Sequence, residues 1–181
     1  MKKMHRCAWA NPKNPLYLDY HDHEWGQVCH DERRLFEMLN LEGAQAGLSW
    51  ETILNKRENY RQAFDDWDAQ IIAQYDADKI EQLMQNAGIV RNRLKINAVI
   101  VNARAYLQLC QDVGSLDAYL WSHVQGTILV NRQRVITSEV SDAISKDLKK
   151  RGFKFVGSTI IYAYMQAIGM VQDHEAGCDW A

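Results

Sequence analysis

Both prolines of this 181-residue chain, Pro12 and Pro15, lie at its beginning, and no later position locks φ or removes a backbone donor in that way. A chain with so little to interrupt a helix is predicted to be all-α. Apolar spacing agrees: Leu35, Phe36 and Leu39, then Ile53, Leu54, Tyr60 and Phe64, recur at helical steps, with Ser49 placed to cap the second segment. Asp78-Lys79-Ile80-Glu81 has capping-box spacing with aspartate in the leading place, and Gly88 is positioned to stop that helix. Ile96, Val99, Ile100, Ala103, Leu107 and Cys110 predict a long amphipathic helix from about Arg93 to Gln111. Further on, Ser141 can cap a helix reaching Arg151 and ended by Gly152, and Ser158 to Ile168 reads as a largely buried helix. Only Thr127 to Thr137 resists. Its Ile128-Leu129-Val130 and Val135-Ile136 clusters suit a small hairpin around Asn131 to Arg134 or an irregular loop, the loop being preferred.

With 47% hydrophobic residues the chain can bury one full core, and no repeat or Gly/Ser linker divides it, so one domain over 1–181 is expected. Its longest aliphatic run, about Ala98 to Val101, is far below the roughly 18 apolar residues of a membrane span. The basic start Met1-Lys2-Lys3-Met4-His5-Arg6 is not followed by the apolar stretch of a secretory signal, so a cytoplasmic protein is expected. A net charge of −2 gives no reason by itself to suspect a nucleic-acid partner. The charges are nevertheless segregated. Asp65, Asp66, Asp68, Asp76, Asp78 and Glu81 precede Arg91, Arg93, Lys95 and Arg104, and Lys149, Lys150, Arg151 and Lys154 form a second basic cluster. Ordinary solvated helix faces account for such runs equally well.

Four cysteines in a reducing compartment argue against a disulfide framework, leaving metal binding or inert burial. Cys7 and His21 lie near one end of the chain and His174 and Cys178 near the other, together a Cys₂His₂ set suited to a closed tetrahedral site. Spacing alone leaves both readings open. Cys29 and Cys110 have no histidine partner nearby and read as core or surface thiols.

Three further features bear on chemistry. Trp9, Tyr17, Tyr20 and Trp25 crowd the N-terminal segment and Trp50 follows Gly47-Leu48-Ser49; flat side chains can sandwich a nucleobase or simply form core. The turn at Gly88 between two helices can offer backbone N–H groups to a phosphate, with Arg91, Arg93 or Lys95 adding charge, though such turns occur in any α-bundle. Glu42 follows an apolar helix and is either a functional carboxylate or a solvated helix end.

Together these residues carry a resemblance. Cys7-Ala-Trp9 and Pro15-Leu-Tyr17-Leu-Asp-Tyr20-His21-Asp22-His-Glu24-Trp25-Gly26 resemble the N-terminal signature of the 3-methyladenine DNA glycosylase I family. So do Leu35 through Glu42 to Trp50, Lys56-Arg-Glu-Asn-Tyr-Arg61, Asn102 to Leu107, Lys149 to Gly157, and Asp173-His174-Glu-Ala-Gly-Cys178, in the family's order.

The resemblance implies a single-domain helix-hairpin-helix glycosylase fold, with the hairpin motif at about 78–111 and zinc-binding tails at 1–26 and 170–181. It implies one structural zinc held by Cys7, His21, His174 and Cys178. Trp9, Tyr17, Tyr20 and Trp50 are expected to form a base pocket with Glu42 holding the base edge as the catalytic carboxylate. Gln45, Gly47 and Leu48 are the expected wedge turn, and Gly88, Arg91 and Arg93 the expected phosphate grip, although Gly88-Ile89-Val90-Arg91-Asn92-Arg93-Leu94 lacks the usual second glycine. The partner implied is double-stranded DNA carrying alkylated bases, the product free 3-methyladenine, and the enzyme a monomer that excises the base without cutting the strand. Asp112 is expected to be a surface residue with no part in the chemistry.

Overall fold

Side-chain caps set where most helices begin. A computed structural model describes residues 4–131 and 133–181; Met1 to Lys3 of the basic start and Arg132 of the expected hairpin lie outside the described residues. The helices are α1 (Pro15–His23), α2 (Glu32–Ala44), α3 (Trp50–Ala63), α4 (Ala69–Ile72), α5 (Ala77–Gln85), α6 (Arg93–Val113), α7 (Leu116–Ser122), α8 (Glu139–Lys150) and α9 (Ser158–Ala167). Asn14, Asp31, Ser49, Asn92 and Ser115 each accept a backbone N–H from the first turn of the helix that follows, an arrangement worth about 1 kcal/mol per cap.

Two caps differ from those expected. Asp76, not Asp78, caps α5, and Asp78 sits inside its first turn. Ser138, not Ser141, caps α8; Ser141 is the third helical residue, and its hydroxyl reaches back to the Ser138 backbone to close a capping box. In both cases two cap-competent residues lie within one turn of each other, and the direction of chain entry decides between them. Helix α5 also stops at Asn86 rather than Gly88, whose amide then donates to Asn86 Oδ1 at 2.8 Å.

Helix α2 is the axis of the molecule. Every residue from Leu35 to Ala44 is buried, with α3, α6, α7 and α9 packed around it. Glu32 in its first turn accepts the Leu116 and Asp117 amides and the Tyr106 hydroxyl, so one carboxylate serves the N-terminus of α7 and ties it to α6. The segment expected as a hairpin or loop is irregular over most of its described length, as preferred, and forms no hairpin among the described residues. Leu129–Val130 (β1) pairs in parallel with Val171–Gln172 (β2), a strand from the C-terminal tail, while Val130 and Ile136 remain 66% and 68% exposed. Local alternation was a poor guide because the partner comes from about 40 residues away.

After α9 the chain turns back tightly. Gly169 has φ +78°, and a Cβ there would sit 2.5 Å from the Gln27 carbonyl carbon and the Val28 amide nitrogen. That approach lets Gly26 N–H reach the Gln166 carbonyl and Cys29 N–H the Ile168 carbonyl. The tails are then joined directly: Asp179 N–H donates to the His5 carbonyl, and Ala8 N–H to Glu175 Oε2. Gly169→Ala is expected to destabilise the protein by about 2 kcal/mol or more, lowering the thermal midpoint by roughly 4 °C or more in a melting experiment.

Candidate functional site: an aromatic cavity beside a Cys₂His₂ cluster

The four expected metal ligands meet. Donor atoms of Cys7, His21, His174 and Cys178 all lie within 4.8 Å of one another and all four side chains are shielded from solvent. Cys7 Sγ is 3.4 Å from His174 Nδ1, and Cys178 Sγ is 3.5 Å from His21 Nε2 and 3.6 Å from His174 Nδ1. The imidazoles are oriented for coordination. His21 Nδ1 faces Asp22 Oδ1 at 2.8 Å, and Asp22 is itself clamped by Arg6, so the carboxylate holds the proton on Nδ1, while Nε2 accepts the Cys7 amide at 3.2 Å and faces Cys178 Sγ. His174 presents Nδ1 to both sulfurs, its ring held edge-on to Trp25. Burial pushes the Cys7 thiol up to about 12, so a divalent cation is what would favour the thiolate there. The donor set fits a metal ion.

The histidines also touch the next layer. The Trp9 ring lies 5.0 Å from that of His21, and Trp25 meets His174 edge-on at 4.7 Å. Trp9 in turn contacts Tyr17 at 5.4 Å and Trp25 at 4.9 Å. Across the gap Tyr20 and Trp50 pair at 5.4 Å. These five rings, with Glu42, Gln45 and Ala163, wall a cavity of about 160 Å³.

Glu42 is set apart by the company it lacks. Three polar side chains are buried in α2, and two are satisfied: Glu37 binds Arg57 and Arg61, and Asn40 bonds the Phe36 carbonyl and Asn102. Glu42, 5% exposed, has no hydrogen-bond partner among the described residues. Desolvation alone raises its carboxyl to about 8. It also helps to push the Tyr20 hydroxyl well above its usual range, after burial itself. The indole N–H of Trp50 is a second orphan, buried without an acceptor. A cavity with flat apolar walls and an unspent carboxyl is built to receive a planar, polar-edged guest.

The structure brings together Trp9, Tyr17, Tyr20, Glu42 and Trp50. Trp25 and Ala163 join them; the first stood out as part of the aromatic cluster, and nothing in the sequence marked the second. Gln45, expected in the wedge turn, lines the cavity, whereas Leu48 is 41% exposed beside Gly47, where φ is +77°. At the second turn Arg91 is exposed and Arg93 pairs with Glu81 at 2.6 Å. Among the described residues the amides of Arg91, Arg93 and Leu94 take no partner. Lys95 is a correction. Its ammonium donates to the Ala44 and Ala46 carbonyls at 2.8 and 2.6 Å, capping the end of α2, so two of its three donors are engaged there rather than by a phosphate. Asp112 is exposed at the end of α6 and paired with Arg151.

Two measurements check this geometry. Cys178→Ser is expected to lower metal content and the thermal midpoint together, by several °C, since a bound structural metal stabilises only the folded state. Glu42→Gln is expected to stabilise the free protein in a pH-dependent way. Between the ordinary carboxylate pKa and about 8, the unfolded chain releases this proton while the folded one keeps it, so native Glu42 lowers stability progressively across that window and by a constant amount above it. The variant's advantage in melting temperature should therefore grow from pH 5 to pH 8 and then level off; a gap independent of pH would contradict the buried, unpaired state.

Known proteins resemble this chain in sequence and fold. The chain is 51% identical to DNA-3-methyladenine glycosylase 1 of Escherichia coli K12 over 180 residues, spanning 97% of this chain and 96% of that protein. A crystal structure of a 3-methyladenine DNA glycosylase I superposes with a TM-score of 0.93 at 49% identity, over 97% of this chain and 98% of the other. A variant of a 3-methyladenine DNA glycosylase I, solved in complex with 3-methyladenine, gives a TM-score of 0.93 at 38% identity over 98% and 97%. The sequence profile of the methyladenine glycosylases matches residues 9–181. This chain belongs to the methyladenine glycosylase family.

Proposed function

We propose that the protein is a monofunctional DNA glycosylase that removes 3-methyladenine from alkylated double-stranded DNA as the first step of base-excision repair. The observation that carries this reading is the solitary carboxyl of Glu42 in a ring-walled cavity with room for one planar base. Methylation at N3 gives the nucleoside a positive charge, and N3-alkyl lesions pair and stack poorly, which eases extrusion from the duplex. A cation entering the cavity favours ionisation of Glu42, which then accepts from the adenine amino group and offsets the base's charge. Tyr20 and Trp50, with Trp9 and Tyr17, hold its faces.

Cleavage follows with little acid catalysis. The C1′–N9 bond breaks with its electron pair going to N9, so the leaving base is neutral; water adds to C1′ and gives up a proton. As positive charge moves to the sugar, the nearby carboxylate stabilises it. No lysine lies in the cavity wall, in keeping with base release without strand cleavage.

In the same reading the metal is zinc and structural. A tetrahedron with ordinary Zn–S and Zn–N bonds has S···N edges of about 3.6 Å, close to the 3.4–3.6 Å donor separations. Four protein ligands leave no position for a reactive water. Residues 1–26 and 170–181 are the zinc-binding tails of one domain covering 1–181, and residues 78–111 hold the hairpin motif. Arg91, Arg93 and the turn at Gly88 would grip phosphates, with Gln45, Gly47 and the exposed Leu48 filling the gap left by the flipped base. Among the described residues no helix is long and apolar enough to cross a membrane; a monomeric, cytoplasmic enzyme fits these features.

Methylated duplex DNA incubated with the metal-loaded protein should release 3-methyladenine and leave the strand uncut. Release of 3-methylguanine or 7-methylguanine should be much slower, because neither presents the adenine amino group. Glu42→Ala should lose about 10²-fold or more in excision rate while keeping its fold. Absence of 3-methyladenine release by the native protein would falsify the assignment.

A further inference from the structure

The Lys56-Arg57-Glu58-Asn59-Tyr60-Arg61 stretch of α3 has no part in the cavity wall or in the phosphate grip, yet its side chains reach both. On one face of the helix Lys56 Nζ donates to the Ala87 carbonyl at 3.4 Å, and the Tyr60 hydroxyl accepts the Val90 amide at 3.2 Å. Asn59 packs so closely on Gly88 that a Cβ there would lie 3.0 Å from Asn59 Cγ. All three contacts hold backbone of the turn between α5 and α6. On the adjacent face Arg57, 7% exposed, binds Glu24 at 2.7 Å and Glu37 at 3.0 and 3.1 Å, and Arg61 adds a second guanidinium to Glu37. Glu24 ends α1 beside Tyr20 and Trp25; Glu37 lies in α2 between its start and Glu42. The three helices that supply Tyr20, Glu42 and Trp50 are thus pinned to one guanidinium, and the helix bearing it also holds the turn.

We propose that this stretch of α3 fixes the register between the turn at residues 86–92 and the cavity, with Tyr60 and Arg57 as positioning residues. The proposal rests on the glycosylase reading and deepens it: a flipped nucleotide stays tethered to a gripped backbone, so base and phosphate sites must stand at a set distance to be filled together. A buried ion pair is weak evidence for net stability, and the proposal assigns this one to specificity of arrangement. Lys95, bonded to the α2 carboxyl end from the first turn of α6, is a second strut between the same two sites.

The experiment separates the two faces in the full-length, metal-loaded protein, well below its melting midpoint. Tyr60→Phe keeps the ring and removes the hydroxyl that accepts the Val90 amide. It should raise the duplex concentration for half-maximal single-turnover excision roughly two- to tenfold, and leave affinity for free 3-methyladenine, followed by tryptophan fluorescence, as in the native protein. Arg57→Lys keeps the charge but cannot bridge two carboxylates; it should raise half-saturation by duplex by a similar factor and change free-base affinity less, because only the duplex must fill both sites at once. Arg61→Met, at a 37% exposed side chain, is the substitute on that face if Arg57→Lys does not fold. Variants that melt earlier yet keep both readouts native, or that shift both readouts equally, would overturn the proposal. A native protein that releases no 3-methyladenine would instead overturn the functional reading, whatever the variants do.

Discussion

A helix buried on every face has no side on which to hide a polar group. Helix α2 is such a helix from Leu35 to Ala44, and the rest of the molecule is arranged around what its three polar side chains require. Glu37 draws Arg57 of α3 into the interior and binds Arg61 at its margin, and through Arg57 it also draws the end of α1. Asn40 reaches Asn102 on α6, whose amide in turn bonds the backbone of Lys154 in both directions. Those satisfied groups rigidify the interior. Glu42 is left over. A carboxyl held near pKa 8 by burial alone is a standing penalty to the folded state, of the kind that persists at sites retained for binding or catalysis.

The Cys₂His₂ cluster answers a different need. The N-terminal segment supplies four of the cavity's five aromatic rings but only one nine-residue helix, α1, too short to hold them by its own packing. His21 and His174 stack their edges on Trp9 and Trp25, so ligands that bring the tails together also press those rings inward. Asp22 and Arg6 fix the His21 ring behind them. The Cys₂His₂ cluster and the aromatic wall are one construction.

The sequence spoke most clearly where a local rule acts. Ser49 begins α3 as expected, and the apolar steps from Ile96 to Cys110 lie within α6, whose observed end at Val113 is two residues beyond the expected Gln111. Where two residues competed for one local role, as Asp76 with Asp78 and Ser138 with Ser141, spacing did not decide. Features made between distant segments were hidden. The pairing of Leu129–Val130 with Val171–Gln172 and the capture of Lys95 by α2 carbonyls depend on a partner that no window of sequence contains. Glu42 shows the limit well: its neighbours in sequence named it through resemblance, but its want of a partner is a property of the packed core. The Cys and His residues had a chemical signature without a geometry, since Cys7 and Cys178 lie at opposite ends of the sequence.

That separation has a consequence in time. The parallel strand at Val171–Gln172, the turn at Gly169 and the ligands His174 and Cys178 are all synthesised after every helix of the bundle. Contacts between distant parts of a sequence carry the largest closure cost, so seating Trp9 and Trp25 against these ligands waits until both segments have met. The aromatic wall opposite Glu42 is complete only from that point.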